Sequence, residues 1–404
     1  MLTTFYRHWL DSFRGLPSGV WLLAFVNLIN RSGSMVLVFL SVYLTQHLGF
    51  DIRDAGYVMT SFGLGALGGM WLGGWATDRF GFYPIQLMSL AFNGVMLLVL
   101  LVITHFWALC ATIFLLSLIS EMFRPANQVA IAYYSTPETR TRSISMQRMA
   151  FNLGFTLSPA LGGILAGKFG WHWLFWADGL TCIFAAIALR ILLKPGKILQ
   201  QPEEKAASQD SSRVSPWRDQ PYLAFTIFTF LGALVFMQLI WTIPVFFKDA
   251  FHWSEQEIGW AMALNGAIVF IVEMPLIFYL EKRRNVLFFV RIGLILYFLS
   301  YFTLMLPLAD LSIALLFMLF ISLGEIMVMP FSGNFAYDRA NKRSNKGAYL
   351  ALYGLAYSIA NVLAPLLGTQ IIAEWGFNTL WSITLALSIV SFGGFLWLER
   401  RLYT

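Results

Sequence analysis

Along this chain, apolar stretches alternate with short clusters of charge, glycine and proline. Each stretch is close to the roughly 20 residues that an α-helix needs to cross a bilayer. The pattern predicts helices near residues 18–46, 55–76, 84–104, 107–133, 143–167 and 171–193. A second set is predicted near 221–247, 257–280, 286–306, 310–337, 347–373 and 377–398. Between the sets, residues 194–220 carry the stretches PGK, QQPEEKAASQDSSR and SPWRDQP, which are polar, proline-bearing and too hydrophilic for a core. The expected organisation is an all-α membrane protein of twelve transmembrane helices: a six-helix half over 1–193, a linker over 194–220 and a second half over 221–404.

Composition agrees. The 404 residues are 58% hydrophobic and 12% charged, with mean hydropathy +0.68, whereas about a quarter of the residues of a soluble domain are charged. A soluble enzyme or a peripheral protein is excluded. The net charge of +6 would suggest nucleic acid for a soluble chain, but here its placement matters more. Arg7, Arg14, Arg79, Arg140, Arg142, Lys282, Arg283, Arg284, Arg400 and Arg401 fall on one set of loops or ends, and Arg53, Lys168 and Lys248 on the other. By the positive-inside rule both termini and the linker are cytoplasmic, in a bacterial-type inner membrane. No nucleic-acid partner is then needed. Cys110 and Cys182 both lie inside apolar runs, which argues against a disulfide framework or a cysteine metal site. The N-terminus lacks a short apolar region followed by a small-residue cleavage site, so no removable signal peptide is expected.

The halves repeat each other. Asp78 falls over Glu281 at an offset of about 203, while TLSPALGG around Pro159 matches VLAPLLGT around Pro365, and Gly170 meets Gly376, at about 206. Glu121 and Pro125 likewise echo Glu325 and Pro330. Two halves in the same orientation are the parallel-repeat arrangement of a secondary transporter.

Gly74, Asp78, Arg79 and Gly81, in GWATDRFG between spans two and three, resemble the G-x-x-x-D-R-x-G loop of the major facilitator superfamily. Phe82 and Tyr83 stand where two basic residues usually follow. The resemblance implies a gating role for this loop, and a carboxylate such as Asp78 can lock a neighbouring helix N-terminus in one conformation only. Gly154, Ser158, Pro159, Gly162 and Gly163 resemble the span-five motif of the drug–proton antiporter branch, with Ser158 in place of one glycine. There small residues allow close helix approach and Pro159 bends the helix. A looser resemblance runs to proton-coupled oligopeptide transporters: Arg31, Tyr43 and residues 48–50 in span one, and Gly324, Glu325 and Pro330 in span ten.

A charge at mid-membrane costs about 2.5–3.5 kcal/mol on insertion scales, so each intramembrane ionisable residue needs a reason. Glu325 is the first candidate for a proton-linked acid, followed by Glu273 and Asp178. Arg31, flanked by Asn27 and Asn30, is expected to face a cavity, where a guanidinium holds a carboxylate. Arg124, Gln147, Asn152, Gln238, Trp241, Asn265, Tyr357 and Asn361 complete the candidate substrate-lining set, although Glu121 and Arg124, three apart on one helix face, are better matched as a structural ion pair. Gly74, Asp78, Arg79, Gly81 and Pro159 form the candidate gating set.

No Walker loop is present, and the glycines of span two are spaced for helix packing. The sequence therefore predicts no enzyme activity, cofactor or metal. It predicts a monomeric, proton-coupled transporter whose partners are a small-molecule substrate, protons and the lipid bilayer. Export of amphiphilic or drug-like molecules by alternating access is the leading expectation, and proton-driven import of a peptide-like or carboxylate solute is the alternative.

Overall fold

A computed structural model describes residues 15–136, 139–193, 215–280, 285–342 and 346–403. Arg7, Arg14, Glu281, Lys282, Arg283, Arg284 and residues 194–214, most of the expected linker, lie outside the described residues.

The described residues form helices α1 Ser18–Ser32, α2 Met35–Val42, α3 Ile52–Phe80, α4 Phe82–Leu100, α5 Phe106–Glu121, α6 Phe123–Tyr134, α7 Arg140–Phe169 and α8 Trp171–Leu192. After a 3-10 turn at Pro216–Arg218 come α9 Gln220–Trp241, α10 Ile243–Ala250, α11 Glu255–Leu280, α12 Val286–Thr303, α13 Asp310–Lys342 and α14 Lys346–Tyr403. Among the described residues these helices are consistent with the twelve expected spans. Spans one, four and seven are each built from two successive helices, and α14 joins two spans through Gly376, whose backbone is non-helical (φ 76°, ψ 176°).

The interruptions have local causes. Span one breaks at Gly33 and Ser34, then widens into a π-helical turn at Tyr43–His47. Span four is interrupted at Met122, where Pro125 follows in the first turn of α6 and offers no backbone N–H. Span seven breaks at Thr242, two residues before Pro244. The polar and glycine residues at two of these breaks, residues 30–34 in span one and 121–125 in span four, lie inside longer apolar runs and so read as candidate chemistry rather than as interruptions.

By backbone packing the described chain divides into two units. In the first, residues 15–37 and 64–193, α1 packs on α7 and α8, and α4 on α8 and on both helices of span four. Small residues set the closest approaches. On α3 a Cβ at Gly69 would collide with the carbonyl oxygen of Leu118, and one at Gly73 would lie 2.6 Å from Met122 Cα. Gly94 of α4 and Gly179 of α8 face each other across the crossing of spans three and six, each placing the other's carbonyl oxygen within 3.1 Å of a built Cβ. In lipid, where no hydrophobic force drives one apolar helix onto another, such close backbone approach is what holds spans together.

In the second unit, residues 38–63 and 215–403, α9 packs on α14, α12 on α13 and α14, and α11 on α13. Residues 38–63 belong to this unit: a Cβ at Gly63 would lie 2.8 Å from Val362 Cα, Arg53 pairs with Glu374 at 3.4 Å, and Gln46 Nε2 donates to Asp249 Oδ1 at 2.9 Å. The second unit is tied at one end by Asp219, which accepts from Arg339 and from the hydroxyl of Tyr349, and elsewhere by an ion pair of Arg291 with Glu399.

The internal repeat is visible in the turns. Gly170, between spans five and six, and Gly376, between spans eleven and twelve, both have φ in the left-handed half of conformational space (93° and 76°). Gly81, between spans two and three, shares this property at 87°.

Candidate functional site

In the first unit, polar side chains of span one meet spans five and six. Asn27 Nδ2 donates to the carbonyl of Gln147 at 3.2 Å, and Gln147 Nε2 donates to the carbonyl of Val20 at 3.3 Å. Both side chains are therefore used in joining spans one and five. Asn30 receives the Cys182 thiol at 3.7 Å, and Cys182 in turn accepts from Asn93 Nδ2 at 3.4 Å. Arg31 ends the first limb of span one with its guanidinium 4.8 Å from the ring centre of Phe151, a cation–π contact, and its Nε is buried without a hydrogen-bond partner. Gly154 makes this possible: a Cβ there would sit 2.7 Å from Arg31 Cβ. Asn152 is half-buried one residue from Phe151, on α7.

Arg124 pairs with Glu121 at 3.2 Å, and its side chain is half exposed. The i,i+3 spacing of these residues signalled this pair. Asp178, grouped with the acids by its depth, caps a helix: Oδ1 accepts from Met35 N at 3.1 Å and Oδ2 from Val36 N at 2.7 Å. Pro159 is buried inside α7. In the GWATDRFG turn, Gly81 supplies the positive φ, Asp78 and Arg79 are exposed, and Arg79 lies over the rings of Trp75 and Phe80 at 5.5 and 5.6 Å.

The second unit gathers a larger polar and aromatic cluster. Glu325, midway along α13 and half-buried, accepts from Asn265 Nδ2 of α11 at 3.2 Å. The same amide nitrogen reaches Ser322 Oγ at 3.0 Å, one turn earlier on α13. Gly324 lets α12 come in beside the acid, since a Cβ there would meet Tyr297 at 2.5 Å. The Tyr297 hydroxyl is buried with no hydrogen-bond partner. Its ring neighbours Phe236 at 6.0 Å, while Tyr353 lies 5.4 Å from Tyr357 and shares a 2.9 Å hydrogen bond with Ser332. Along spans seven and eleven, Trp241 Nε1 donates to Asn361 Oδ1 at 3.1 Å, and Gln238 Nε2 donates to the carbonyl of Ala364 at 3.2 Å. Glu273 is buried on α11, two residues before Pro275.

Of the candidate lining residues, Trp241 with Asn361 and Asn265 with Glu325 are brought into contact, whereas Asn27, Gln147 and Gln238 are used in helix–helix hydrogen bonds to backbone. Tyr297, Ser322, Tyr353 and Ser332 join the cluster without having been singled out. The i,i+3 spacing of Ser322 and Glu325 was the available signal. Tyr297 carried none, because an aromatic in an apolar run reads as core.

The model of the Major Facilitator Superfamily fits residues 20–348 and 242–403 of this chain. The chain belongs to that superfamily. Its relatives include a putative sugar efflux transporter of Deinococcus radiodurans, 22% identical over 96% of this chain and 99% of the relative. A Na(+), Li(+), K(+)/H(+) antiporter of Planococcus maritimus is 24% identical over 92% of both chains. Multidrug resistance protein MdtH of Yersinia pestis is 21% identical over 85% of this chain and 84% of its own. Among solved structures, a POT family transporter in complex with 5-aminolevulinic acid superposes with TM-score 0.79 at 16% identity, covering 96% of each chain. The nucleoside transporter NupG gives 0.75 at 16%, covering 96% of this chain and all of its own. These two likenesses establish the fold. The protein is a membrane transporter rather than an enzyme.

Proposed function

We propose that this transporter is a proton-coupled exporter of amphiphilic or drug-like molecules, working as a monomer by alternating access in a bacterial-type inner membrane with both termini cytoplasmic. The observation that carries the reading is Glu325: a half-buried carboxylate at mid-span that accepts from the neutral Asn265 amide amid tyrosines. A carboxylate at this depth that receives a neutral amide beside aromatic rings can act in proton exchange, and aromatic walls suit an apolar or cationic solute. Protonation of Glu325 weakens its hold on Asn265 of span eight, and that change is the coupling step. Trp241, Tyr357 and Asn361 line the substrate path in the same unit, and Arg31 of span one is the charged candidate of the first unit. Glu273 is the second proton-linked candidate. Asp78 and Arg79, exposed in the turn between spans two and three, together with Gly74, Gly81 and Pro159, serve gating. The relatives named for efflux, antiport and multidrug resistance support export.

One feature favours the alternative, proton-driven import of a peptide-like or carboxylate solute: the Arg31 guanidinium held on an aromatic ring with its Nε unsatisfied. Cells stripped of their own efflux pumps decide between the two. Expression should lower accumulation of a lipophilic cation dye, and Glu325→Gln should abolish that effect. Accumulation of a labelled dipeptide that is lost in Arg31→Ala would replace the exporter reading.

A further inference from the structure

Span one is a jointed helix, and the joint lies inside the first unit. Its first limb, Ser18–Ser32, ends at Gly33, and its second limb begins at Met35. Residues up to Leu37 belong to the first unit and residues from Val38 to the second. Restarting a helix inside the membrane exposes fresh backbone N–H groups that no water can satisfy. Here span six supplies what they need. Asp178 reaches across with both carboxylate oxygens, one to Met35 N at 3.1 Å and the other to Val36 N at 2.7 Å.

The same stretch of span six holds the other side of the joint. Thr181 Oγ1 donates to the Asp178 carbonyl at 2.9 Å, and a Cβ at Gly33 would collide with that hydroxyl oxygen, so only glycine lets the break sit against span six. Span five closes in from its own side, where a Cβ on Gly154 would lie 3.0 Å from Ser32 N. The last turn of the first limb, which carries Arg31, is thus clamped between Gly154 and the capped start of the second limb.

We infer that Asp178 is a positioning residue: by capping the second limb of span one it fixes the joint at Gly33–Ser34 and holds Arg31 over Phe151. A side chain that merely filled space could be replaced by an apolar one of similar size. A cap needs an acceptor. Its functional meaning rests on the transporter reading, but its test reads no flux, so the two can fail separately.

The test is amide hydrogen exchange and NMR on the full chain in nanodiscs, with Asp178→Leu, which has no acceptor, and Asp178→Asn, which keeps one. Losing both hydrogen bonds should raise exchange at Met35 and Val36 about tenfold or more in Asp178→Leu, with a smaller rise in Asp178→Asn. The Arg31 Nε–H resonance, displaced in the wild type by the Phe151 ring, should move to an ordinary arginine position in Asp178→Leu and stay displaced in Asp178→Asn. If both variants leave Met35, Val36 and Arg31 unchanged, or shift them equally, the inference is wrong. Should Asp178→Leu fail to fold, the wild type still decides: Met35 and Val36 amides that exchange as fast as loop amides overturn it.

Discussion

Arg339 grips Asp219 with two prongs, Nε to Oδ2 at 2.8 Å and Nη2 to Oδ1 at 2.7 Å, across 120 residues of sequence. Asp219 is 4% exposed, also receives the Tyr349 hydroxyl at 3.0 Å, and caps the start of span seven through Tyr222 N at 3.4 Å. One carboxylate thereby ties spans seven, ten and eleven together. Removing one partner of a buried pair leaves the other charge uncompensated, at a cost of about 3–5 kcal/mol. Asp219→Ala should therefore lower the melting temperature in detergent markedly, and by more than Asp219→Asn, which keeps an acceptor for the cap. Equal melting of Asp219→Ala and wild type would show that the pair contributes nothing.

The glycines of span two divide by face. A methyl group at Gly69 runs into the Leu118 carbonyl oxygen, whereas one at Gly68 meets only Leu118 Cδ1 at 3.5 Å, an ordinary contact. Gly69→Ala should destabilise by about 1–3 kcal/mol through overpacking, and Gly68→Ala should be close to neutral. Thermal denaturation of the two variants side by side checks this, and a Gly68→Ala that falls as far as Gly69→Ala would refute the face assignment.

Three turns need glycine for its backbone. Gly81, Gly170 and Gly376 have φ of 87°, 93° and 76° with ψ near extended values, a region in which a side chain costs about 1–3 kcal/mol. Nothing lies within 4 Å of a Cβ at Gly376, so any loss of stability in Gly376→Ala reports backbone strain alone. The expected result is a lowered melting temperature for Gly376→Ala beside an unchanged one for Gly354→Ala, where there is equal space and the backbone is helical.

The crossings, the repeat and the GWATDRFG turn were legible because each depends on local signals: apolar length, glycine in short turns, and spacing. The Glu121–Arg124 pair was legible for the same reason. The use of Asp178 as a cap was not, because its partners are backbone amides 143 and 142 residues away, and the polar residues at the break, within 30–34, read as candidate chemistry inside one long apolar run. Arg339 carries no local signal in the sequence beyond its charge. Its grip on Asp219 depends on how the second unit folds, which no periodicity encodes. Depth in the membrane identified which acids are costly, but not what each one holds.

Proton coupling through Glu325 is tested most directly with purified protein in liposomes containing a pH-sensitive dye. A gradient of tetraphenylphosphonium is imposed, and the wild type is compared with Glu325→Gln. The account predicts proton movement opposite to the cation in the wild type and none in Glu325→Gln. Coupled proton flux that survives Glu325→Gln, or protons that enter together with a dipeptide or carboxylate instead, would contradict it.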